Sequence, residues 1–147
     1  MSHATCFGIA KVRMLVLVVG LVWSLPVVCH AIDLSGCWSG TWQSCVTPHK
    51  GPLNAEFVRL NANQYEVFFR GRFFKIIPFR YSVVMTASEQ NGVVYLSGSK
   101  YLGRMAGTFS FNAAATDCSF NANYTSCKDN GCFVMTRCTY ATSCGAK

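Results

Sequence analysis

Tyr65-Glu66-Val67-Phe68-Phe69-Arg70-Gly71-Arg72-Phe73 is the stretch that decides the fold. Tyr65, Val67, Phe69, Gly71 and Phe73 fall on one side of an extended chain, with Glu66, Arg70 and Arg72 on the other. A repeat of two with one apolar face marks a half-buried antiparallel strand, whereas a helix would gather apolar residues every three to four positions. The pattern returns further along. Phe79, Tyr81, Val83, Met85 and Ala87 alternate with Arg80, Ser82 and Thr86. Met105, Gly107, Phe109 and Phe111 alternate with Arg104, Thr108 and Ser110, and Phe120, Ala122 and Tyr124 with Asn121 and Asn123.

Turn residues separate these runs: Thr47-Pro48 to Pro52, Asn61-Ala62-Asn63, Pro78, Gln90-Asn91-Gly92, Ser99 to Gly103, Asn112 to Asp117 and Lys128-Asp129-Asn130-Gly131. Asn-Gly is the strongest hairpin cue, because both positions tolerate positive φ. The spacing predicts eight strands, at 35–44, 51–60, 64–74, 77–87, 92–99, 103–112, 117–126 and 132–139. Ala113-Ala114-Ala115-Thr116 reads as the one long soft connection. Short strands joined in order by tight turns make an up-and-down meander, and closing it into a barrel removes both exposed edges. Gly40, Gly71, Gly98 and Gly107 fall inside strands, where they let the chain coil sharply. The fold class is therefore all-β, an eight-stranded antiparallel barrel, with a two-sheet sandwich as the competing arrangement.

Ahead of the strands lies Met14-Leu15-Val16-Leu17-Val18-Val19-Gly20-Leu21-Val22-Trp23-Ser24-Leu25, preceded by Lys11 and Arg13 and followed by Cys29-His30-Ala31. Basic, apolar and small residues in that order read as an export signal over 1–31, cleaved after Ala31. The apolar run is shorter than the roughly 20 residues needed to span a bilayer. Residues 32–147 then form a single domain, secreted or periplasmic, with membrane contact only through the signal before cleavage. The leader holds two basic residues and no acid, which lowers the net charge from +7 to +5. The remaining basic residues are scattered singly, and no run reads as a nucleic-acid tail.

Cys6 and Cys29 leave with the signal; Val28 before Cys29 is too bulky for a lipid-anchor site. Cys37, Cys45, Cys118, Cys127, Cys132, Cys138 and Cys144 remain, and none of their spacings is the Cys-x-x-Cys of a zinc ribbon or redox site. In an oxidising compartment they read as up to three disulfides and one spare thiol. In a meander Cys37, Cys118, Cys138 and Cys144 gather at one rim, and Cys45, Cys127 and Cys132 at the other. Cys37 cannot reach Cys45, since eight extended steps span roughly 26 Å and bridged Cα atoms lie about 4.4–6.8 Å apart. The expectation is Cys127–Cys132 across a turn, Cys37 with Cys138 or Cys144 as a clasp, Cys118 with the remaining C-terminal partner, and Cys45 left over.

Gly36-Cys37-Trp38-Ser39-Gly40-Thr41-Trp42 puts Trp38, Gly40 and Trp42 on one face of the first strand. This segment resembles the opening of the calycin superfamily, lipocalins and avidin-like barrels among them, which begins with Gly-x-Trp. The doubled motif is more similar still to small secreted bacterial proteins with a Gly-x-Trp-x-Gly-x-Trp opening. Calycins also place an arginine of the last strand over that tryptophan, and Phe133-Val134-Met135-Thr136-Arg137 supplies Arg137. The resemblance implies a guanidinium–indole contact of roughly 0.5–2 kcal/mol. Trp38, Trp42 and Arg137 then form either a closure plug or the floor of a ligand site. Tyr65, Phe69, Tyr81, Phe109 and Tyr124 share the inward faces and are the remaining binding or plug candidates.

Catalytic patterns are missing from the sequence. His49 is the one histidine after the leader and sits in a loop between Pro48 and Lys50. No Gly-x-Ser-x-Gly elbow or phosphate-cradling loop occurs. Asn123-Tyr124-Thr125 matches a glycosylation acceptor, which matters only in a eukaryotic secretory pathway. The expectation is a non-enzymatic barrel without cofactor or metal, which binds a small apolar ligand or an envelope component and no nucleic acid. Twelve inward aromatics suffice to fill so small a barrel, which favours a packed interior over a large pocket. The alternatives are a small outer-membrane barrel, or a hydrolase with Glu56 and Glu66 inside the barrel.

Overall fold

Alternation through Tyr65–Phe73 can bury its apolar face only if the sheet curls over it, and this is the arrangement found. The computed structural model describes residues 31–73 and 76–139, Phe73 by its backbone alone. Residues 1–30, where the export signal is expected, with Cys6 and Cys29, and also Cys144, lie outside the described residues. Eight strands follow in order: β1 (Gly36–Ser44), β2 (Lys50–Asn61), β3 (Gln64–Phe73), β4 (Ile77–Gln90), β5 (Val93–Tyr101), β6 (Thr108–Ala115), β7 (Ser119–Thr125) and β8 (Asn130–Arg137). Each pairs antiparallel with the next, and β1 pairs with β8, so the sheet is a closed up-and-down barrel. The sandwich alternative is excluded.

Closure rests on the register of β1 against β8, from Trp38 opposite Arg137 to Ser44 opposite Gly131. Gly40 lies opposite Met135, and a Cβ there would sit 2.6 Å from the Met135 Cα and closer still to the Val134 carbonyl oxygen. Only glycine lets the seam approach this tightly, which is the close-contact use of a strand glycine. The Asn91-Gly92 pair joins β4 to β5 with both residues at positive φ, 53° and 75°.

Up-and-down order assigns the connections to two ends. At one end lie residues 31–35, the turns after β2, β4 and β6, and the chain after β8. The connections after β1, β3, β5 and β7 lie at the other. Leu34, Trp38, Phe57, Phe120, Met85 and Met135 are all fully buried and crowd the first end. Trp38 packs 5.6 Å from Phe57 and 6.3 Å from Phe120, centroid to centroid, and Phe57 meets Phe120 edge-on at 5.2 Å. Tilted and edge-to-face rings at these separations are the favoured aromatic geometry.

Several expectations fail in detail. The sixth strand begins at Thr108 rather than 103, and Ala113–Ala115 belong to it instead of forming a soft connection. Alanine has low β propensity, but Ala113 and Ala115 are buried where Ala115 pairs with Phe120, so packing overrides propensity. The connection is instead Leu102–Gly107, closed by Leu102 N–H to the Gly107 carbonyl and Gly107 N–H to the Gly103 carbonyl, each 2.8 Å. Met105 is therefore 88% exposed, not inward, and Gly107 is a loop residue with φ 77°.

Cys37, Cys118 and Cys138 lie at one rim and Cys45, Cys127 and Cys132 at the other, yet three pairings fail among the described residues. Cys45, Cys118, Cys127, Cys132 and Cys138 carry free thiols, and Cys37 is not among them. Cys132 lies opposite Asn123 in β8, while Cys127 sits in the tight turn beyond β7. That turn is held by Ser126 N–H to the Asp129 carbonyl and Asp129 N–H to Ser126 Oγ. The turn aims the Cys127 sulfur at Gly107 of the neighbouring loop, away from Cys132. Cys138 meets Cys37 through its backbone, donating N–H to the Cys37 carbonyl at 2.8 Å. Cys118 likewise contributes its carbonyl, to Arg137 N–H at 3.1 Å, rather than a bridge.

Candidate functional site

Trp38 and Trp42 point the same way from β1 but serve opposite ends of the barrel, four residues or roughly 13 Å apart. At the Trp38 end the interior is sealed. Arg137 spreads its guanidinium 4.7 Å from the Trp38 ring centroid. It donates Nε–H to the Asp117 carbonyl, Nη1–H to that of Ser35 and Nη2–H to that of Asp33, at 2.6, 2.7 and 2.6 Å. Trp38 Nε1–H is spent on the Leu34 carbonyl at 2.9 Å. Tyr65 closes the same end, 6.3 Å from Phe57, with Arg59 over its ring at 5.8 Å. Asp33 accepts hydrogen bonds from Ser35 N–H and Oγ, which hold its carboxyl below the usual range. With these groups engaged, the cavity found at this end, between Ile32, Arg59, Tyr65 and Glu89, is only about 50 Å³.

The Trp42 end is hollow. A pocket of about 280 Å³ opens there, walled by Trp42, Phe79, Tyr81, Phe109, Tyr124 and Phe133. It exceeds the ~150 Å³ apolar cavity that accommodates benzene. Leu102 and Ala106 of the β5–β6 loop stand at its mouth, with Arg80 and Asp129 at its border. Phe79 reaches across because Gly71 lies beneath it, where any Cβ would collide with the Phe79 ring. Its ring meets Trp42 edge-on at 6.3 Å and stacks on Tyr81 at 6.0 Å. Phe69 supports the wall from below, 5.3 Å from Tyr81 and 5.4 Å from Phe133. Tyr124 bridges Phe109 and Phe133 at 5.6 and 5.2 Å.

Few polar groups face this apolar space. Tyr124 donates its hydroxyl to Asp129 Oδ2 at 2.9 Å, and Ser44 donates Oγ–H to Asp129 Oδ1 at 2.6 Å. The Tyr81 hydroxyl has no hydrogen-bond partner among the described residues. Burial pushes the Tyr81 phenol far above its ordinary range, and the neighbouring Tyr124 adds to the shift. Tyr124 is raised first by burial and then by its hydrogen bond to Asp129. Both phenols stay neutral across physiological pH, so neither tyrosine puts a negative charge on the wall. Among the described residues no cluster of His, Cys, Asp or Glu could hold a metal ion.

The sequence-derived set therefore divides. Trp42, Tyr81, Phe109 and Tyr124 line the pocket, Phe69 backs it, and Trp38, Tyr65 and Arg137 seal the far end. The interior is packed along one half only, which corrects the expectation of a filled barrel. Phe79 and Phe133 belong to the site as well. Phe133 lies opposite Trp42 across the closing seam, a pairing that follows once strand eight is started at Asn130.

No protein-family model matches the sequence, and no curated protein matches it. Among solved structures, it is similar to a redesigned beta barrel, mFAP1, bound to DFHBI, with a TM-score of 0.53 and 10% identity over 71% of this chain and 94% of that one. It is similar also to a de novo designed fluorescence-activating beta barrel, with a TM-score of 0.49 and 11% identity over 71% of this chain and 93% of that one. At such identities the first likeness supports the barrel fold and nothing finer.

Proposed function

We propose that this is an exported, calycin-like carrier that holds a small apolar ligand in the Trp42 pocket without transforming it. The observation that carries the reading is the hollow, aromatic-walled end of an otherwise packed barrel. Apolar walls with few polar groups are the usual make-up of small-molecule sites. The free Tyr81 hydroxyl suits a ligand with one hydrogen-bonding group among rings or chains. The complex of mFAP1 with DFHBI supports the reading, since a barrel of this fold carries a small molecule.

The alternatives lose ground on the outward faces. An outer-membrane barrel needs an apolar band around its outside, but β6 and β7 turn Ser110, Asn112, Asn121, Asn123 and Thr125 outward, all exposed. Glu56 is outward too, with its carboxylate 3.6 Å from Arg70, and Glu66 shares the outer face between buried Tyr65 and Val67. Glu56 and Glu66 thus form no carboxylate pair inside the barrel for hydrolysis.

Export is part of the same proposal. Ile32 N–H donates to Glu89 Oε2 at 3.0 Å. Cleavage after Ala31 would turn that amide into an ammonium group already facing a carboxylate. In the oxidising compartment Cys37 would bridge to Cys144, the clasp alternative left once Cys138 is a free thiol.

The test is titration of the protein with Nile red, an uncharged apolar dye. The expected result is saturable one-to-one binding with a blue-shifted emission, weakened at least about tenfold by Phe109→Asp, which puts a charge in the wall. Absence of saturable binding, or indifference to Phe109→Asp, would overturn the carrier reading.

A further inference from the structure

The two ends differ in charge as sharply as in packing. Lys50 opens β2, Arg72 lies opposite Pro78, Lys100 lies opposite Phe109, Arg80 borders the pocket, and Arg104 and Lys128 sit in the mouth connections. Among the described residues the mouth holds a single acid, Asp129, already engaged by Ser44 and Tyr124. Asp33, Glu89 and Asp117 lie at the plugged end, and Glu56 and Glu66 in the half next to it, opposed among the described residues there by Arg59 and Arg137. The barrel is a charge dipole along its axis, positive at the mouth. Such a distribution orients a protein in the field of an anionic surface.

Exposed apolar side chains crown the same mouth. Val46 follows β1, Ile76 precedes β4 and Ile77 opens it, and Met105 tops the β5–β6 loop, at 59%, 78%, 53% and 88% exposure. Tyr101 stands beside them at 60%. Lys128 ties the fourth connection to this loop, with Nζ–H donated to the Met105 carbonyl at 2.9 Å. Single exposed apolar residues are ordinary, but here three of the four mouth connections present one inside a basic ring. Basic residues flanking apolar tips fit the boundary between lipid headgroups and acyl chains. A nucleic acid would use the charges and leave the tips unsatisfied.

We propose that the mouth docks on an anionic phospholipid bilayer, with Ile76 and Met105 dipping into it and Lys100, Arg104 and Lys50 against the headgroups. The pocket then opens onto the lipid surface. This goes beyond the carrier reading and stands without it, because the residues that carry it lie on the rim rather than in the cavity. It also departs from the sequence-based expectation that membrane contact ends with the leader.

The test is co-sedimentation with vesicles of phosphatidylcholine alone and of phosphatidylcholine with one quarter phosphatidylglycerol. The protein is expected to bind the anionic vesicles, to release them as salt is raised, and to leave neutral vesicles unbound. Each basic residue near such a surface is worth about fivefold in partitioning, so Lys100→Gln with Arg104→Gln should weaken binding roughly 25-fold. Ile76→Ser with Met105→Ser should weaken it about fivefold or more. All four residues are outside the pocket wall, so Nile red binding in solution, measured alongside, separates failure of this inference from failure of the carrier reading. Equal binding to both vesicle types would overturn the proposal. So would an apolar double variant that binds like the parent while a DNA duplex competes fully, since that marks a general polyanion binder.

Discussion

Trp38 and Trp42 are four residues apart on one strand, and the structure treats them in opposite ways. Trp38 is walled in by Phe57 and Phe120 and covered by Arg137, and its ring nitrogen is tied to Leu34. Trp42 forms one wall of a cavity, and its ring nitrogen reaches the Arg72 carbonyl at 3.3 Å. One end therefore stabilises the closed sheet, and the other leaves room for a guest. A barrel this narrow can pack both ends with side chains; aromatic rings held at the wall rather than across the axis keep the second one open.

Mutation should separate the two ends, and the largest effect belongs to the plug. Trp38→Ala removes a fully buried indole and should cost about 3–5 kcal/mol in denaturant unfolding, whereas Phe109→Ala at the half-exposed mouth should cost less than about 1.5 kcal/mol. Equal losses would break the distinction. Arg137→Met comes next. It keeps the apolar stem over Trp38 but strips three carbonyls of their donor, for about 1.5–3 kcal/mol by the same measurement. A neutral outcome would mean that water replaces the guanidinium without loss.

The mouth has a pH signature. Tyr81 and Tyr124 have phenol pKa values raised in the folded chain above the ordinary value of 10.0. The unfolded chain ionises first, so the stability tied to these neutral phenols is fully present below about pH 10 and falls as pH rises further. Phenolate absorbance followed together with circular dichroism should show two tyrosines that ionise only as the fold is lost. Ionisation near pH 10 with the fold intact would show that water reaches both phenols at the mouth. The smallest effect is expected from Tyr81→Phe, which removes the unpaired hydroxyl. Stability should move by less than about 0.5 kcal/mol, while Nile red affinity should fall about threefold to tenfold, the worth of one hydrogen bond.

Much of the barrel was legible because a repeat of two is a physical signature of one buried face, and because Asn91-Gly92 and Asn61-Ala62-Asn63 punctuate it. The plug was legible through Gly-x-Trp and a terminal-strand arginine. Residues 103–115 misled for a definite reason. Arg104-Met105-Ala106-Gly107 alternates like a strand but is a loop closed by its own backbone hydrogen bonds. Ala113-Ala114-Ala115 lacks strand formers but lies under Phe120, where small residues fit. Cysteine partners could be sorted by rim but not by bond, since a turn such as Ser126–Asp129 decides where Cys127 points. Nor could the hollow be foreseen from a tally of aromatics. Whether rings meet across the axis or line the wall depends on Gly71 beneath Phe79, a contact visible only in three dimensions.

The asymmetry of the two tryptophans is tested most directly by quenching with a brominated fatty acid in Trp38→Phe and Trp42→Phe proteins that also carry Trp23→Phe, which removes the third indole. If the account holds, Trp38→Phe, with Trp42 still reporting, shows saturable one-to-one quenching, and Trp42→Phe shows none. Quenching that survives loss of Trp42, or is missing from both proteins, contradicts it.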